Sequence, residues 1–486
     1  MRLKTSSTYL VGCIMLLALG IRLIHLSQSF WLDEAAQALE SARPLTEQFE
    51  LSGDFQPPLF HLLVYLFEKV GRSEWWLRLA SVIPGTITLW FAVKIAQKQY
   101  GDKTALLTSL LGALSAFHFF YSQELRPYSL AAMFAVFSMY YFIQLIHPLE
   151  SIDKYKLKRI SIGYILSSAL ALYTMYLTGF LLLTQFLIVI YLFRDKIKLI
   201  INHQSIIIFL FLPWMPKLWE QLQNGLGLAA DYAGWSMAVS LPWFKSLPLT
   251  FVRFLIGMIL VDPTLPYVIG GLIGLMIITF ITFKAIQKRT DWIFALWLII
   301  PTLIAFLVSF SVPVLEPKRL LFCLPALWIL VAAGLVKLRL SKSVLTIIMC
   351  VYALPLVFHL VSPSLLREDW RTAVAEIETS ATPQSVVLFA FPGPFAPFTW
   401  YQTGRVPAIS TGIFTLKDES YLDANTPAVL TYDRVYVFEY LMDLSDPQRL
   451  IFAWLKRNGF EGTKVIDYRG VGFVYIFDRL PTIALR

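Results

Sequence analysis

Phe30-Trp31-Leu32-Asp33-Glu34-Ala35 follows the first long apolar run of the chain and sets two carboxylates side by side behind an aromatic anchor. Charge in or beside hydrocarbon is costly, so acids placed there are candidates for function. Tryptophan settles at headgroup depth, which puts Asp33 and Glu34 at the boundary between water and lipid. Taken alone, the pair is as compatible with ordinary loop acids as with a site. The rest of the chain separates the two.

Outward from that stretch, the composition is that of a membrane. The 486 residues are 57% hydrophobic and 15% charged, with a mean hydropathy of +0.64, which is the profile of a multi-pass protein. Apolar runs of spanning length fall near 9–26, 77–96, 104–120, 127–146, 160–177, 179–193, 204–218, 265–283, 291–310, 318–336 and 343–361. The net charge of +9 needs no nucleic acid to explain it, because the excess lies at every second connection. Those clusters are Arg2/Lys4, Lys94/Lys98/Lys103, Lys154/Lys156/Lys158/Arg159, Arg194/Lys196/Lys198, Lys284/Lys288/Arg289 and Lys337/Arg339/Lys342. The positive-inside rule places them in the cytoplasm. The expectation is about 11 transmembrane helices, with the N-terminus inside and the C-terminus outside a cell (plasma or inner) membrane.

Residues 58–70 are apolar but only about 13 long, which suits an interfacial helix on the outer surface rather than a span. Met1-Arg2-Leu3-Lys4 before an apolar run resembles a signal sequence, but no small-residue cleavage site follows convincingly, so it is taken as an uncleaved first span. Cys13, Cys323 and Cys350 all fall in expected spans, where they imply neither a disulfide framework nor a zinc site. His25, His61, His118, His147, His203 and His359 show no ligand spacing and are read as interfacial or structural, with only His61 near the acidic loop. No phosphate-binding loop, dinucleotide fingerprint or Ser-His-Asp order is present.

The outer segments carry the polar chemistry. Residues 27–76 hold Asp33, Glu34, Glu40, Glu47, Glu50 and Asp54, then Asp54-Phe55-Gln56-Pro57-Pro58-Leu59, whose prolines stiffen the entry to the short helix. Tyr121-Ser122-Gln123-Glu124-Leu125-Arg126-Pro127-Tyr128 is a short polar loop between spans. Glu124 and Arg126 there are either a structural ion pair or a second functional acid beside a phosphate-binding cation, a role that suits arginine's planar fork. Tyr173-Thr174-Met175-Tyr176 closes the fifth span, and 219–264 is a long outer connection with Asp231, Tyr232, Trp235 and Trp243, whose run 249–261 is too short to span. Pro317-Lys318-Arg319 stands at the outer end of the tenth span, where snorkelling cations are common. From 362 the composition shifts. Arg367-Glu368-Asp369-Trp370-Arg371 opens a helix, strand-like runs follow at 385–391, 434–439, 463–468 and 471–478, and 446–459 reads as an amphipathic helix. The fold class is therefore mainly α, a multi-pass membrane domain over 1–361 followed by a small extracytoplasmic α/β domain over 362–486, large enough to hold its own core.

FWLDEA, DFQPPL, YSQELRPY and EPKR, in this order on one membrane face, together with the outward C-terminal domain and its Asp-Trp-Arg opening, resemble the polytopic lipid-linked-sugar glycosyltransferases of the C superfold. The nearest branch holds the protein O-mannosyltransferases and the bacterial aminoarabinose transferases of lipid A. The resemblance covers most of the chain and is strongest over 1–200. It implies that an acid of the first outer loop, here Asp33 with Glu34 beside it, acts as base or orients the acceptor. It also implies that Asp54, Gln56, Pro57 and Pro58 line the same cavity. The chain differs from the family at Met175, where a histidine is common, and at Leu320, where an aromatic is.

Physical chemistry points the same way. A sugar donor used on the outer face must arrive on a lipid phosphate, because nucleotide sugars are made in the cytoplasm. The acceptor hydroxyl, on a lipid, a glycan or a protein, needs a base within hydrogen-bond reach. The departing polyprenyl phosphate develops charge that fixed cations stabilise, and Arg126, Lys318 and Arg319, beside Glu124 and Tyr128, are the candidates. Direct displacement with inversion at the anomeric carbon follows. No cofactor is required by this chemistry; whether a divalent metal assists is left open, since Asp33, Glu34 and Glu124 offer hard oxygen ligands. The alternative is a transporter or flippase of lipid-linked saccharides. A coupled pump places ionisable groups deep in its spans, whereas the charges here gather at the span ends.

Overall fold

A computed structural model describes residues 2–51, 53–146, 153–231, 243–257 and 265–481. His147, Tyr232, Trp235 and residues 258–261 of the short run at 249–261 lie outside the described residues. The chain forms two compact units, Met1–Leu26, Arg43–Gly227 and Val239–Leu365 in one, and Ser27–Ala42, Leu228–Ala238 and Leu366–Arg486 in the other. The acidic stretch thus shares a unit with the C-terminal residues rather than with the spans that flank it in sequence.

Among the described residues, the regular elements of the first unit are all helices. Each apolar run read from the sequence lies on a helix, and among the described residues six are long and apolar enough to cross a membrane: Glu74–Tyr100, Tyr128–Ile146, Arg194–Gly227, Arg289–Val308, Pro317–Leu338 and Lys342–Val361. The run at 104–120 is two helices, Asp102–Leu114 and Ala116–Ser122, bent by 61°. Ser115 makes the break, with an extended backbone and a side chain that accepts from His118 N, an N-cap inserted into an apolar run. Gly334 lets the helices Leu265–Ala285 and Leu324–Leu338 approach, because a Cβ there would overlap the Ile281 carbonyl. Arg22 is wholly buried, and its guanidinium donates to Ala18 O at 2.9 Å, Gly112 O at 3.0 Å and Ser122 Oγ at 3.2 Å and meets His118 Nδ1 at 2.8 Å. A buried cation is tolerated only when such partners replace water. Of the three cysteines, Cys323 is buried while Cys13 and Cys350 are exposed, on faces an apolar helix presents to lipid.

The basic connections of this unit meet at one end. Tyr100 donates to Asp291 Oδ1 at 2.9 Å, and Lys337 Nζ lies 3.5 Å from Asp291 Oδ2. Arg289 donates to Tyr191 O at 3.3 Å. Lys98 stands close enough to Lys156 for the two charges to be felt. Arg126 and Tyr128 begin the helix Tyr128–Ile146, and Lys318 begins Pro317–Leu338, whose other end carries Lys337. At 1.5 Å rise per residue, Lys318 and Lys337 are roughly 30 Å apart.

The second unit has a five-stranded sheet in the order β2-β1-β3-β5-β4, with β1 Ser385–Phe389, β2 Ala408–Ser410, β3 Arg434–Phe438, β4 Phe460–Tyr468 and β5 Gly472–Arg479. β1 pairs parallel with β2 and β3, while β5 pairs antiparallel with β3 and β4. Alternate side chains of β1 and β3 go to opposite faces, as the two-residue period requires. Val387, Phe389, Tyr436 and Phe438 pack with the helix Trp370–Ser380, and Val386, Leu388, Val435 and Val437 with the helix Leu450–Arg457. The strand-like runs and the amphipathic helix read from the sequence are present; β2, three residues long, was not foreseen.

Candidate active site

Asp33 and Glu34 open a helix, Leu32–Ser41, whose buried residues are Glu34, Ala35, Gln37, Ala38 and Ser41. That spacing is one face of a 3.6-residue turn. Neighbouring residues on a helix point about 100° apart, so Glu34 lies on the buried face and Asp33, half-buried, on its flank. Two acids in the first turn also suit the positive end of the helix dipole.

The segment 367–371 holds this helix entry. Arg367 N donates to Gln28 Oε1 at 2.6 Å, and Arg371 donates to Ser27 O at 3.0 Å. The Ser29 hydroxyl donates to Glu368 O. Tyr401 accepts from Phe30 N at 2.7 Å, and the Phe30 ring meets Trp400 with centroids 5.6 Å apart. Glu34 is fully buried and its Oε2 lies 3.5 Å from Arg367 Nη1.

Beside the pair, the Glu368 carboxylate accepts from Trp370 Nε1 at 2.7 Å and Tyr440 Oη at 3.1 Å. Burial pushes Glu368 up to about 7; the charges of Asp33 and Glu34 add to this and the two hydrogen bonds oppose it. Burial and the adjacent Glu368 also push the Tyr440 phenol well up, so it remains a donor at neutral pH. Gly470, at φ +74°, makes room for this arrangement, since a Cβ on it would come within 3.0 Å of Glu368 Cα.

In the membrane unit, YSQELRPY and EPKR come together. Lys318 Nζ lies 5.8 Å from the Tyr128 ring centroid and 3.1 Å from Glu316 Oε1. The Tyr121 and Tyr128 rings sit 5.7 Å apart, and both tyrosines feel the charges of Glu124, Glu316 and Lys318. Arg126 also acts on Tyr128, and its carbonyl accepts from Ser81 Oγ at 3.3 Å. Arg319 turns back on its own loop, donating to Pro313 O at 3.0 Å with Glu316 at 3.8 Å.

The Pro-Pro loop is fixed from outside. Gln221 Nε2 donates to Leu51 O and Asp54 O at 2.6 Å and to Gln56 O at 3.1 Å, while Tyr176 donates to Gln221 Oε1 at 2.5 Å and accepts from Trp214 Nε1 at 2.8 Å. Asp54 Oδ2 lies 2.8 Å from Nε2 of the buried His61, and Gln56 donates to Asp54 Oδ1 at 3.1 Å. Pro57 and Pro58 are buried at the start of the helix Leu59–Glu68. Asp54 and His61 offer one oxygen and one imidazole nitrogen, donors that suit a divalent transition ion.

Residues 55–219 match the model of the family described as dolichyl-phosphate-mannose-protein mannosyltransferase. Over nearly its whole length the chain is similar in structure to ArnT from Cupriavidus metallidurans. With the apo form the TM-score is 0.57 at 13% identity, covering 99% of this chain and 100% of that one. With the form bound to undecaprenyl phosphate it is 0.60 at 14% identity, covering 98% and 99%. Residues 55–219 thus match a glycosyltransferase family model, and the chain as a whole shares the fold of ArnT. The oligosaccharyltransferase of Archaeoglobus fulgidus, tethered with an acceptor peptide containing the NVT sequon, has a similar fold, at a TM-score of 0.55 and 11% identity, covering 97% of this chain and 74% of that one. No curated protein matches the chain by sequence.

Several residues that position the chain's polar groups escaped sequence reasoning. Gln221 and Tyr176 lie far along the chain from the loop they hold, and nothing local marks them. His61, beside the acidic loop, was the one histidine whose place gave a signal. Arg367, Glu368 and Trp370 were visible as an unusual charged opening to a helix, without any sign that they meet residues 27–34.

Proposed function

We propose that the transferase moves a sugar from a polyprenyl-phosphate donor to an acceptor hydroxyl or phosphate, on a lipid, a glycan or a protein, at the extracytoplasmic face. The acceptor oxygen attacks the anomeric carbon, the bond from that carbon to the phosphate oxygen breaks, and polyprenyl phosphate leaves with the bonding pair. A hydroxyl acceptor gives its proton to Asp33. Arg126 and Lys318 neutralise the leaving phosphate, with Arg319 bracing the loop that carries Lys318 and with Glu124 and Tyr128 fixing the cations' surroundings. The loop of Asp54, Gln56, Pro57 and Pro58 lines the substrate cavity, and Glu34 is secondary to Asp33. One displacement inverts the anomeric configuration.

The observation that carries this reading is the gathering of Tyr121, Tyr128, Lys318 and Glu316 around Glu124 and Arg126, at helix ends remote from the basic connections. Cations that remain fixed where charge develops are what a phosphate leaving group requires. The binding of undecaprenyl phosphate by ArnT, a protein of similar fold, supports a lipid phosphate as the donor's carrier. About 11 spans, a cytoplasmic N-terminus, an extracytoplasmic C-terminal unit and a plasma- or inner-membrane address belong to the same reading. They are supported by the helix found at each apolar run and by the meeting of the basic connections.

The test is reconstitution of purified protein in liposomes with a labelled polyprenyl-phosphate sugar and a set of hydroxyl acceptors. The expected result is free polyprenyl phosphate and an acceptor carrying the label with inverted anomeric configuration. Movement of intact donor between leaflets without bond cleavage would instead indicate a flippase.

A further inference from the structure

Asp33 and Glu34 are adjacent in sequence and chemically alike, yet the structure treats them differently. Glu34 is 0% exposed and faces Arg367, itself only 9% exposed in its side chain, at 3.5 Å. Asp33 sits on the flank of the same helical turn. The main chain around Arg367 is tied down on several sides. Its own main-chain N is bonded to Gln28 Oε1, the next residue's carbonyl accepts from Ser29, and Arg371 bonds Ser27 O. The segment is thus docked along residues 27–30, and the guanidinium is delivered to the first turn of the helix by its backbone. Arginine fits the task because it never loses its charge and its fork fixes direction as well as distance. A carboxylate buried without such a partner would either take up a proton or strain the turn that carries it.

We propose that Arg367, from the C-terminal residues, is a positioning residue for the transfer reaction. By engaging Glu34 it withdraws that carboxylate from the chemistry and fixes the turn that carries Asp33, so Asp33 alone serves as base. The C-terminal unit is then a working part of the catalytic apparatus. The inference rests on the proposal that Asp33 is the base.

The experiment is steady-state transfer from a polyprenyl-phosphate sugar by the purified full chain, with the folded fraction followed by thermal melting. Arg367→Gln should lower kcat by roughly 10- to 100-fold, the scale of a misplaced catalytic group, with donor KM unchanged. Arg367→Lys should recover much of that loss. The double variant Glu34→Gln/Arg367→Gln should match Glu34→Gln alone, because Arg367 acts through Glu34. Wild-type kcat for Arg367→Gln overturns the inference. So does a loss that follows the folded fraction and that neither lysine nor the double variant reverses. Wild-type turnover by Asp33→Asn removes the base reading itself, and the role of Arg367 with it, and so is distinguishable from failure at Arg367.

Discussion

Glu34 and Arg367 meet from opposite ends of the chain inside a sheet-containing unit, whereas Arg126 and Lys318 stand at the ends of apolar helices among tyrosine rings. The acids are held by main-chain bonds: Gln28, Ser27 and Ser29 are each tied to the segment 367–371. The cations are held by position, at a helix start and over an aromatic face. On the proposed roles, the difference follows from what each group must do. A base has to be placed to a fraction of an ångström, which calls for a rigid backbone frame. A phosphate cradle needs charge retained in a low-dielectric setting, and the rim of a helical bundle supplies that without a frame.

If that contrast holds, the cation side should respond to charge and fork geometry more than to small displacements. Arg126→Ala should lower transfer by about 10²–10³-fold, the usual loss for one stabilising donor of a developing anion. Arg126→Lys should retain a part of the activity, since it keeps the charge and loses the fork. Equal rates for alanine and wild type in folded protein would take Arg126 out of the site and leave the comparison with one member.

The acid side should instead show its state through stability. Glu368 in the folded unit titrates at about 7 against an ordinary 4.5, so folding favours its protonated form. That contribution is complete below about pH 4.5 and is lost as pH rises through 7, on the order of 3 kcal/mol in all. Melting of the full chain between pH 5 and 8, followed by the fluorescence of tryptophans such as Trp370, should fall with rising pH. Glu368→Gln, a mimic of the protonated form, should flatten the curve. A wild-type curve equally flat would show that the frame around Asp33 does not bury that carboxyl.

The Pro-Pro loop takes its main-chain hydrogen bonds from one side chain, Gln221. Gln221→Leu would strand the Leu51, Asp54 and Gln56 carbonyls that Gln221 now serves, costing about 1–3 kcal/mol. Thermal inactivation should come earlier while kcat in the folded fraction changes less than for Arg126→Ala. A collapse of kcat without loss of stability would make the loop part of the chemistry rather than its wall.

How much of this the sequence could disclose depends on range. The helices were legible because an apolar run of spanning length has one stable solution in lipid. The strands 385–389, 434–438 and 472–479 were legible from their apolar and aromatic content. The break at Ser115 was not, because one small polar residue scarcely alters the hydropathy of 104–120. β2 was missed because Ala408–Ser410 is too short to show a period. At the candidate site, the residue types and their place beside apolar runs were apparent for Asp33, Glu34, Arg126 and Lys318. The pairing of Glu34 with Arg367, and of Gln221 with the loop at 51–56, was not, since contact between distant segments leaves no local pattern in either.

The central claim is that Asp33 takes the acceptor's proton, and the most direct measurement is turnover by purified Asp33→Asn with a polyprenyl-phosphate sugar and a hydroxyl acceptor. The substitution keeps size and hydrogen bonding and removes only the charge, so melting and donor binding should match wild type. Transfer should fall by about 10²–10⁴-fold, the span of general-base loss, and Glu34→Gln should fall less. Wild-type turnover by Asp33→Asn would contradict the account, and an inactive Glu34→Gln beside it would move the base one residue along the helix.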